Sequence, residues 1–101
     1  MTFGLNSADY KLLENLVITP LKQKSVRVFV FGSRATGRNH PFSDIDLLLE
    51  PLPTRPIELS ELSQIKESIE EARFPIKVDL VLFDDLAQSY KNRVLQEKIE
   101  I

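Results

Sequence analysis

The positions of apolar and polar residues divide the chain into segments of helical and of strand period. Near the N-terminus, apolar residues recur every three or four positions, which predicts an amphipathic helix with Ser7 as its N-terminal cap. Its apolar face comprises Leu12, Leu13, Leu16, Val17 and Leu21. Pro20 is expected to kink or end this helix near Ile18, because proline has no backbone N–H to donate.

Three short runs of β-branched, aromatic and leucine residues predict buried strands, which span 26–31, 43–50 and 76–83. Side chains of a strand alternate between its two faces, so Asp44, Asp46 and Leu48 share one face of the second strand. The odd-numbered apolar residues of that run take the opposite face: Ile45, Leu47 and Leu49. We therefore expect acidic groups on a strand that is otherwise suited to the core.

Two further helices are predicted in the second half of the chain. The first spans 57–73 and has a charged outer face and these inward positions: Leu59, Leu62, Ile65, Ile69 and Ala72. The second begins at a cap formed by Asp84 or Asp85, and its apolar positions are Leu86, Tyr90, Val94, Leu95 and Ile99. The apolar set runs on to Ile101, so this tail either packs against its own sheet or docks onto a partner or a second copy.

The order of these elements predicts an α/β (α+β) fold with a small mixed β-sheet flanked by helices. A long helix joins the second and third strands, as in a parallel crossover, whereas the short link between the first two strands favours antiparallel pairing. That link holds a short helical turn at 33–37, capped by Ser33, and a loop at 38–42. The end of the first strand at Gly32 then meets the starts of the other two at one edge of the sheet. The same edge carries Asp44, Asp46 and Asp79.

Length and composition narrow the classes of protein that the chain can be. Its 101 residues suffice for one domain with one modest core, and 43% hydrophobic with 28% charged residues is usual for a globular protein. The net charge of -2 gives no reason to expect direct binding of nucleic acid. Cysteine is absent, which excludes disulfides and thiolate metal sites. No segment has the pattern of a membrane span or a signal peptide, so we expect a cytoplasmic location.

The acidic residues at the predicted edge are suited to binding a metal ion. Two aspartates at positions i and i+2 of a strand lie roughly 6–7 Å apart on the same side, so Asp44 and Asp46 can reach one or two hard cations. Magnesium prefers such oxygen ligands and shares them with substrate phosphates. Asp79 could orient or deprotonate an attacking hydroxyl, or hold a second metal. Gly32 permits close approach of a phosphate, and the N–H groups after it, with the Ser33 hydroxyl, can bind triphosphate oxygens as nucleotidyl transfer requires.

The residues that carry this chemistry resemble the signature of a known family. Gly32-Ser33, followed by Asp44-Ile45-Asp46 and by Asp79 in a later strand, is similar to the pattern of the polymerase-β-like nucleotidyltransferase superfamily. The string FGSRATGRNHPFSDIDL and the small size most resemble the minimal nucleotidyltransferases, known as MNT proteins. The resemblance covers nearly the whole chain, and it is specific because the motifs occur together, in order, on the expected strand edges.

The resemblance implies a polymerase-β-like nucleotidyltransferase fold in a single minimal domain over 1–101. It also implies that Mg²⁺ is required and that ATP is the nucleotide donor. The catalytic and metal-binding residues would be Asp44, Asp46 and Asp79. Gly32 and Ser33 would contact the triphosphate, and Arg34 is assigned with them to the nucleotide. Arg34 and Arg38 could instead meet an acidic partner or remain solvated loop cations.

Minimal nucleotidyltransferases are commonly the antitoxin half of a toxin–antitoxin pair whose toxin is a helical HEPN protein. The resemblance therefore implies an enzyme that transfers AMP from ATP to a hydroxyl, expected to be that of a tyrosine, of a HEPN ribonuclease. Two alternatives stay open: an antitoxin that neutralises the ribonuclease by binding alone, and a nucleotidyltransferase for a small molecule. Enzymes of the latter class usually carry extra substrate-binding structure, for which this chain has little room.

Other polar residues near the motifs have simple structural interpretations. Lys77 precedes Asp79 by two positions, so it lies on the same side of the strand and either neutralises phosphate or pairs with a neighbouring acid. His40 is the only histidine and is expected on a surface loop. Tyr10 and Tyr90 are expected to pack rather than to react.

Overall fold

The computed structural model describes all residues from Met1 to Ile101. Its helices and strands, in chain order, are α1 (Ser7–Leu13), α2 (Thr19–Gln23), β1 (Arg27–Phe31), α3 (Ser33–Thr36), β2 (Ile45–Glu50), α4 (Leu59–Glu71), β3 (Val78–Leu82), α5 (Gln88–Glu97) and β4 (Ile99–Glu100). One π-helical turn, Glu14–Ile18, joins α1 to α2, and a 3₁₀ turn, Phe83–Asp85, follows β3. None of the helices has the length and apolar character that a membrane span requires.

The four strands form one mixed sheet in the order β3-β2-β1-β4. β1 pairs antiparallel with β2, and β2 pairs parallel with β3 across the α4 crossover, so the predicted mixed sheet is confirmed. In this register Asp46 lies opposite Phe31 on one side and opposite Asp79 on the other. The end of β1 and the starts of β2 and β3 therefore meet at one edge, as the order of the elements predicted.

The sheet separates a large core from a small one. The large core lies under α1, α2 and α4 and includes the odd-numbered apolar residues of β2. On the opposite face, Phe29 and Leu48 pack against Val94 of α5. Asp46 and Asp79 share this second face with Leu48, because strand side chains alternate. α5 is thus the helix that covers the face on which the acidic residues lie.

The N-terminal turns of α1 and α4 differ from the expectation. Asn6 rather than Ser7 is the N-cap of α1, since the Asn6 side chain accepts a 2.7 Å hydrogen bond from the backbone N–H of Asp9. α4 begins two residues later than predicted, and its first turn is held by a reciprocal capping box between Glu58 and Glu61. In both helices a polar side chain satisfies backbone N–H groups that have no partner within the helix.

Pro20 does not end the helical segment near Ile18, which was one of the two expected outcomes. It lies in the first turn of α2, directly after the π-helical turn. Within that turn the hydrogen bonds shift to i→i−5, as from the N–H of Thr19 to the carbonyl of Glu14. The wider turn tolerates the hydrogen bond that is missing because proline has no backbone N–H, and the helical segment continues to Gln23.

The C-terminal part contains a fourth strand that was predicted as helix. The 3₁₀ turn takes up Asp84 and Asp85, so neither caps α5. After α5, Ile99 pairs with Val30 of β1 as part of β4. Ile99 and Ile101 pack against the large core, which favours the first of the two interpretations of the apolar tail.

Three large apolar side chains that were predicted to face inward are solvent-exposed, and so is Ala72 at the end of α4. Leu59, in the first turn of α4, is 78% exposed, and Tyr90 and Leu95 of α5 are 51% and 47% exposed. Only Val94 of α5 is fully buried. α5 therefore makes a narrow contact with the sheet and leaves its polar residues free to line a site.

Candidate active site

Three aspartates gather at the edge of the sheet. Asp46 and Asp79 are register partners in the parallel pair β2–β3, and Asp44 lies one residue before β2 begins. Burial raises the pKa of Asp46, the negative charges of Asp79 and Asp44 raise it further, and so does a hydrogen bond with Asp79. Lys77 acts in the opposite direction. The structure thus brings the three predicted carboxylates close enough for their like charges to interact.

The donor set of this edge suits a hard cation that a substrate also ligates. Nowhere do three or more His, Asp or Glu side chains converge into a preformed metal cage. Mg²⁺, however, is usually bound by one or two carboxylates, with phosphate oxygens and water completing its coordination. A divalent cation here would also relieve the charge repulsion that raises the pKa of Asp46. The residues therefore fit a magnesium ion that is bound together with a nucleotide.

Gly32 ends β1 in a left-handed backbone conformation that favours glycine, at φ 75° and ψ -155°. A Cβ atom at this position would collide with Oδ2 of Asp46. Because glycine has no side chain, the turn can lie directly against the acidic edge. The N–H of Gly32 donates a 3.0 Å hydrogen bond to Oε1 of Glu97 in α5. This backbone donor therefore already binds an anionic oxygen, that of the Glu97 carboxylate.

A polar cleft of about 200 Å³ opens beside this turn. We call it the phosphate cleft, and it is lined by Gly32, Ser33, Thr36, Arg38, Arg93 and Glu97. Ser33 is the first residue of α3, which occupies the position of the predicted helical turn, but Gly32 rather than Ser33 is its N-cap. Arg38 and Arg93 supply two cations from separate parts of the chain, so this cleft can attract a phosphate chain.

Arg93 and Glu97 were not predicted as site residues. The apolar positions of the last helix predict its packing, and its polar positions carry no motif. Arg93 and Glu97 are four positions apart, so they lie on one face of α5. That spacing is the signal in the sequence, but it acquires meaning only once the sheet shows which face of α5 meets the Gly32 turn.

Arg34 lies inside the protein rather than in the phosphate cleft. It is 3% exposed, and its guanidinium donates to the backbone carbonyls of Phe3 at 2.8 Å, Ser43 at 3.0 Å and Pro41 at 3.3 Å. These bonds satisfy the buried charge and tie the loop before β2 to the N-terminal segment. The structure therefore does not bring the Arg34 guanidinium into the phosphate cleft, because this group is turned into the protein and bonded there.

Lys77 and His40 take the simpler of their expected roles. Nζ of Lys77 lies 3.6 Å from Oδ1 of Asp79, so Lys77 pairs with the neighbouring acid. His40 lies on an exposed loop, where its Nδ1 accepts a hydrogen bond from the N–H of Phe42 and its own N–H donates to Oγ of Ser43. These local bonds shape the loop that leads into β2.

Comparison with known proteins identifies the class to which this fold and site belong. Residues 15–101 match the family model described as Polymerase beta, Nucleotidyltransferase. The chain therefore belongs to this nucleotidyltransferase family, and the resemblance inferred from its motifs is confirmed. Membership defines it as an enzyme of nucleotidyl transfer, in agreement with the carboxylate edge and the glycine turn.

Three proteins illustrate the similarity of this chain to known sequences and structures. A protein of Haemophilus influenzae named "Probable protein adenylyltransferase MntA" is 27% identical over 99 residues, which cover 89% of this chain and 85% of that protein. A solved structure of a candidate minimal nucleotidyltransferase has a TM-score of 0.70 and 26% identity, and the match covers 96% of this chain and 97% of that one. A toxin–antitoxin crystal structure with AMP-PNP shares the fold, with a TM-score of 0.63 and 21% identity over 86% of this chain and 70% of that one. The predicted fold class is thus confirmed.

Proposed function

We propose that this protein transfers AMP from ATP to a hydroxyl group of a partner protein and acts as the antitoxin of a toxin–antitoxin pair. The observation that carries the proposal is the register that sets Asp46 opposite Asp79, with the Gly32 turn against the same Asp46 carboxylate. Groups suited to a metal, a triphosphate and an attacking hydroxyl would then share one edge of a small sheet. The relative named as a protein adenylyltransferase supports a protein, rather than a small molecule, as the acceptor.

The triphosphate of ATP would bind in the phosphate cleft. Backbone N–H groups at the Gly32 turn and the Ser33 hydroxyl can donate to phosphate oxygens, and Arg38 and Arg93 can neutralise phosphate charge. Glu97 accepts the Gly32 N–H, so it would yield that donor to a phosphate oxygen when the nucleotide binds.

Asp44 and Asp46 would hold Mg²⁺ together with oxygens of the nucleotide. When bound, the ion would neutralise the charge that develops on the phosphates during transfer. The raised pKa of Asp46 supports this assignment, because crowded carboxylates favour the binding of either a proton or a cation.

Asp79 would prepare the acceptor hydroxyl for attack. The acceptor oxygen forms a bond to the α-phosphorus, and the bond from the α-phosphorus to the oxygen that bridges to the β-phosphate breaks. The hydroxyl proton passes to the Asp79 carboxylate, and pyrophosphate departs with the bridging oxygen on the Gly32 side. Lys77, paired with Asp79 at 3.6 Å, helps to position that carboxylate at the edge.

The acceptor in this proposal is a tyrosine of a HEPN-family toxin. The motif resemblance supports this partner, and the fold shared with a toxin–antitoxin structure containing AMP-PNP is consistent with both the partner and the nucleotide. Modification of the toxin would inactivate it, whereas neutralisation by binding alone would not need the carboxylates.

The experiment replaces Asp44 and Asp46 with asparagine and measures transfer of label from α-labelled ATP to the co-expressed toxin in the presence of Mg²⁺. Loss of both metal-ligating carboxylates is expected to lower the rate of transfer by at least about a hundredfold. Asp84→Asn/Asp85→Asn is the matched control, since these aspartates lie in the 3₁₀ turn beyond the far end of β3. Equal labelling by both double variants would reject the catalytic assignment. Protection of cells by the Asp44→Asn/Asp46→Asn variant would instead favour neutralisation by binding.

A further inference from the structure

A second cleft, of about 570 Å³, runs along β3 and reaches Asp79. It lies between the C-terminal half of α4 and β3, and we call it the edge cleft. Its apolar wall consists of Ile69, Phe74, Ile76, Val78 and Leu80. β3 is the outermost strand of the sheet and pairs only with β2, so its outer edge presents unpaired backbone N–H and C=O groups. An extended segment of another chain could therefore add to this edge.

The rim of the edge cleft carries an excess of positive charge. Lys66, Arg73 and Lys77 line it, with Glu70 and Asp79 as its acids. Lys77 is paired with Asp79, whereas neither Lys66 nor Arg73 takes part in any of the ion pairs of the structure. This local charge contrasts with the net charge of -2 of the whole chain. The edge cleft thus suits a segment that is apolar at its centre and acidic at its ends.

Arg73 holds its position in a backbone conformation that does not favour arginine. Its φ is 52°, in the left-handed region, where it follows the last residues of α4. The N–H of Phe74 closes the helix end on the carbonyl of Ile69 at 3.3 Å, in the arrangement where glycine is the usual residue. The rim of the edge cleft therefore carries a cationic side chain at a position where the backbone of a glycine would be less strained.

The two clefts lie on opposite sides of Asp46. Across the strands β3, β2 and β1, the order of the site groups is Asp79, Asp46 and Gly32. The phosphate cleft adjoins Gly32, and the edge cleft adjoins Asp79. A nucleotide that enters from the β1 side would leave the β3 side open for the attacking group, as displacement in line with the departing pyrophosphate requires.

We infer that the edge cleft binds the acceptor: an extended protein segment in which an aromatic hydroxyl residue is flanked by acidic side chains. This inference rests on the proposed function, because it assigns the site at which that reaction takes its second substrate. The edge of β3 pairs with the backbone of the segment, whose alternate side chains then face α5 and α4. The aromatic hydroxyl residue lies on the face of Asp79, and the side chains next to it pack along the apolar wall or meet Lys66 and Arg73 with their carboxylates. The apolar wall and the open strand edge favour a peptide over RNA, which would need a continuous basic surface.

Binding of fluorescein-labelled peptides, followed by fluorescence anisotropy, tests this site without any need for catalysis. The probes are a tyrosine flanked by glutamates, the same peptide with lysines in place of glutamates, and a short single-stranded RNA. Lys66→Glu/Arg73→Glu is expected to weaken binding of the acidic peptide by about tenfold and to bind the basic peptide more tightly than the acidic one. Lys11→Glu/Lys22→Glu, which makes the same charge change at exposed positions of α1 and α2, should behave as the unaltered protein.

Equal affinity of the unaltered protein and Lys66→Glu/Arg73→Glu for the acidic peptide would overturn the inference. Binding of RNA with no binding of peptide would overturn it as well. A transfer assay with α-labelled ATP separates this result from the proposed function. Asp44→Asn/Asp46→Asn should lose transfer but retain the peptide, whereas Lys66→Glu/Arg73→Glu should retain ATP and raise the KM for the peptide. Failure of transfer with intact peptide binding would count against the proposed reaction and not against the edge cleft.

Discussion

Gly32 and Gly37 both have a positive φ, of 75° and 76°, but their ψ angles of -155° and 12° differ, and only Gly32 lies against a carboxylate. A Cβ on Gly37 would meet no atom within 4 Å, so alanine there should destabilise the protein by about 1 kcal/mol through backbone strain alone. Alanine at Gly32 adds a collision with Asp46 and should reduce stability by about 2–4 kcal/mol.

Urea denaturation of Gly32→Ala and Gly37→Ala measures the two effects on stability. ATP binding, measured by calorimetry in the presence of Mg²⁺, should fall strongly for Gly32→Ala and change little for Gly37→Ala. Similar losses of stability and affinity in both variants would show that a positive φ, rather than closeness to Asp46, is what the site requires.

Arg34 shows how a motif residue can have a structural role. Its guanidinium serves three backbone carbonyls, so Arg34→Lys should leave at least one of them without a donor and destabilise the protein by about 2–4 kcal/mol. Thermal denaturation measures this loss, and the affinity for ATP at a temperature where the variant is folded should stay within about threefold of the original value. A stable variant that no longer binds ATP would return Arg34 to the nucleotide site.

At the scale of elements, α5 determines the charge of the phosphate cleft. Glu97 adds a negative charge where phosphates would bind, so Glu97→Gln should bind ATP more tightly, by about 1 kcal/mol or roughly fivefold. Glutamine retains an oxygen that can accept the Gly32 N–H, which separates the charge from the hydrogen bond. Glu67→Gln, on the exposed side of α4, is the control and should leave the affinity unchanged. Weaker ATP binding by Glu97→Gln would mean that this carboxylate assists the nucleotide or its metal.

Short apolar runs predicted the strands β1, β2 and β3, and apolar positions of helical period predicted α4. Each of these elements begins within one or two residues of its predicted start. β4 could not be predicted, because Ile99 fits both the helical spacing of α5 and the alternation with Ile101, and two residues do not distinguish them. The π-helical turn before Pro20 could not be predicted either. It forms because tertiary packing keeps the segment helical despite the loss of one hydrogen bond, and the sequence pattern does not give that packing.

At the scale of the whole molecule, topology predicted the carboxylate edge but not its surroundings. A parallel crossover and an antiparallel link suffice to bring Gly32, Asp46 and Asp79 together, since strand direction alone fixes which ends meet. The position of Arg34 in the interior and of Arg93 in the phosphate cleft depends on how α3 and α5 rotate about their axes. Such rotation follows from packing against the sheet, which the order of elements does not specify.

Without a bound metal, the negative charge of Asp46 at the acidic edge should lower the free energy of unfolding at neutral pH. Burial and the charges of Asp79 and Asp44 raise the pKa of Asp46 above its ordinary value of 3.8, so the native state holds this proton more firmly than the unfolded chain does. The stability that Asp46 contributes is complete below its ordinary pKa and is lost as the pH rises through its raised pKa in the native state. Asp46→Asn keeps the size of the side chain but removes the charge.

We therefore expect Asp46→Asn to unfold at higher urea concentrations than the unaltered protein at neutral pH in the presence of a chelator. The advantage should shrink as the pH falls through the raised pKa of Asp46, because the carboxyl group of the unaltered protein then becomes neutral, as the asparagine side chain is at every pH. Asp84→Asn in the 3₁₀ turn should show no such dependence, since Asp84 lies away from the acidic edge. Lower stability of Asp46→Asn at neutral pH would mean that the Asp46 carboxylate makes hydrogen bonds whose stabilising effect outweighs the repulsion from Asp44 and Asp79. The carboxylates would then support the fold itself rather than hold stored repulsion for a cation to relieve.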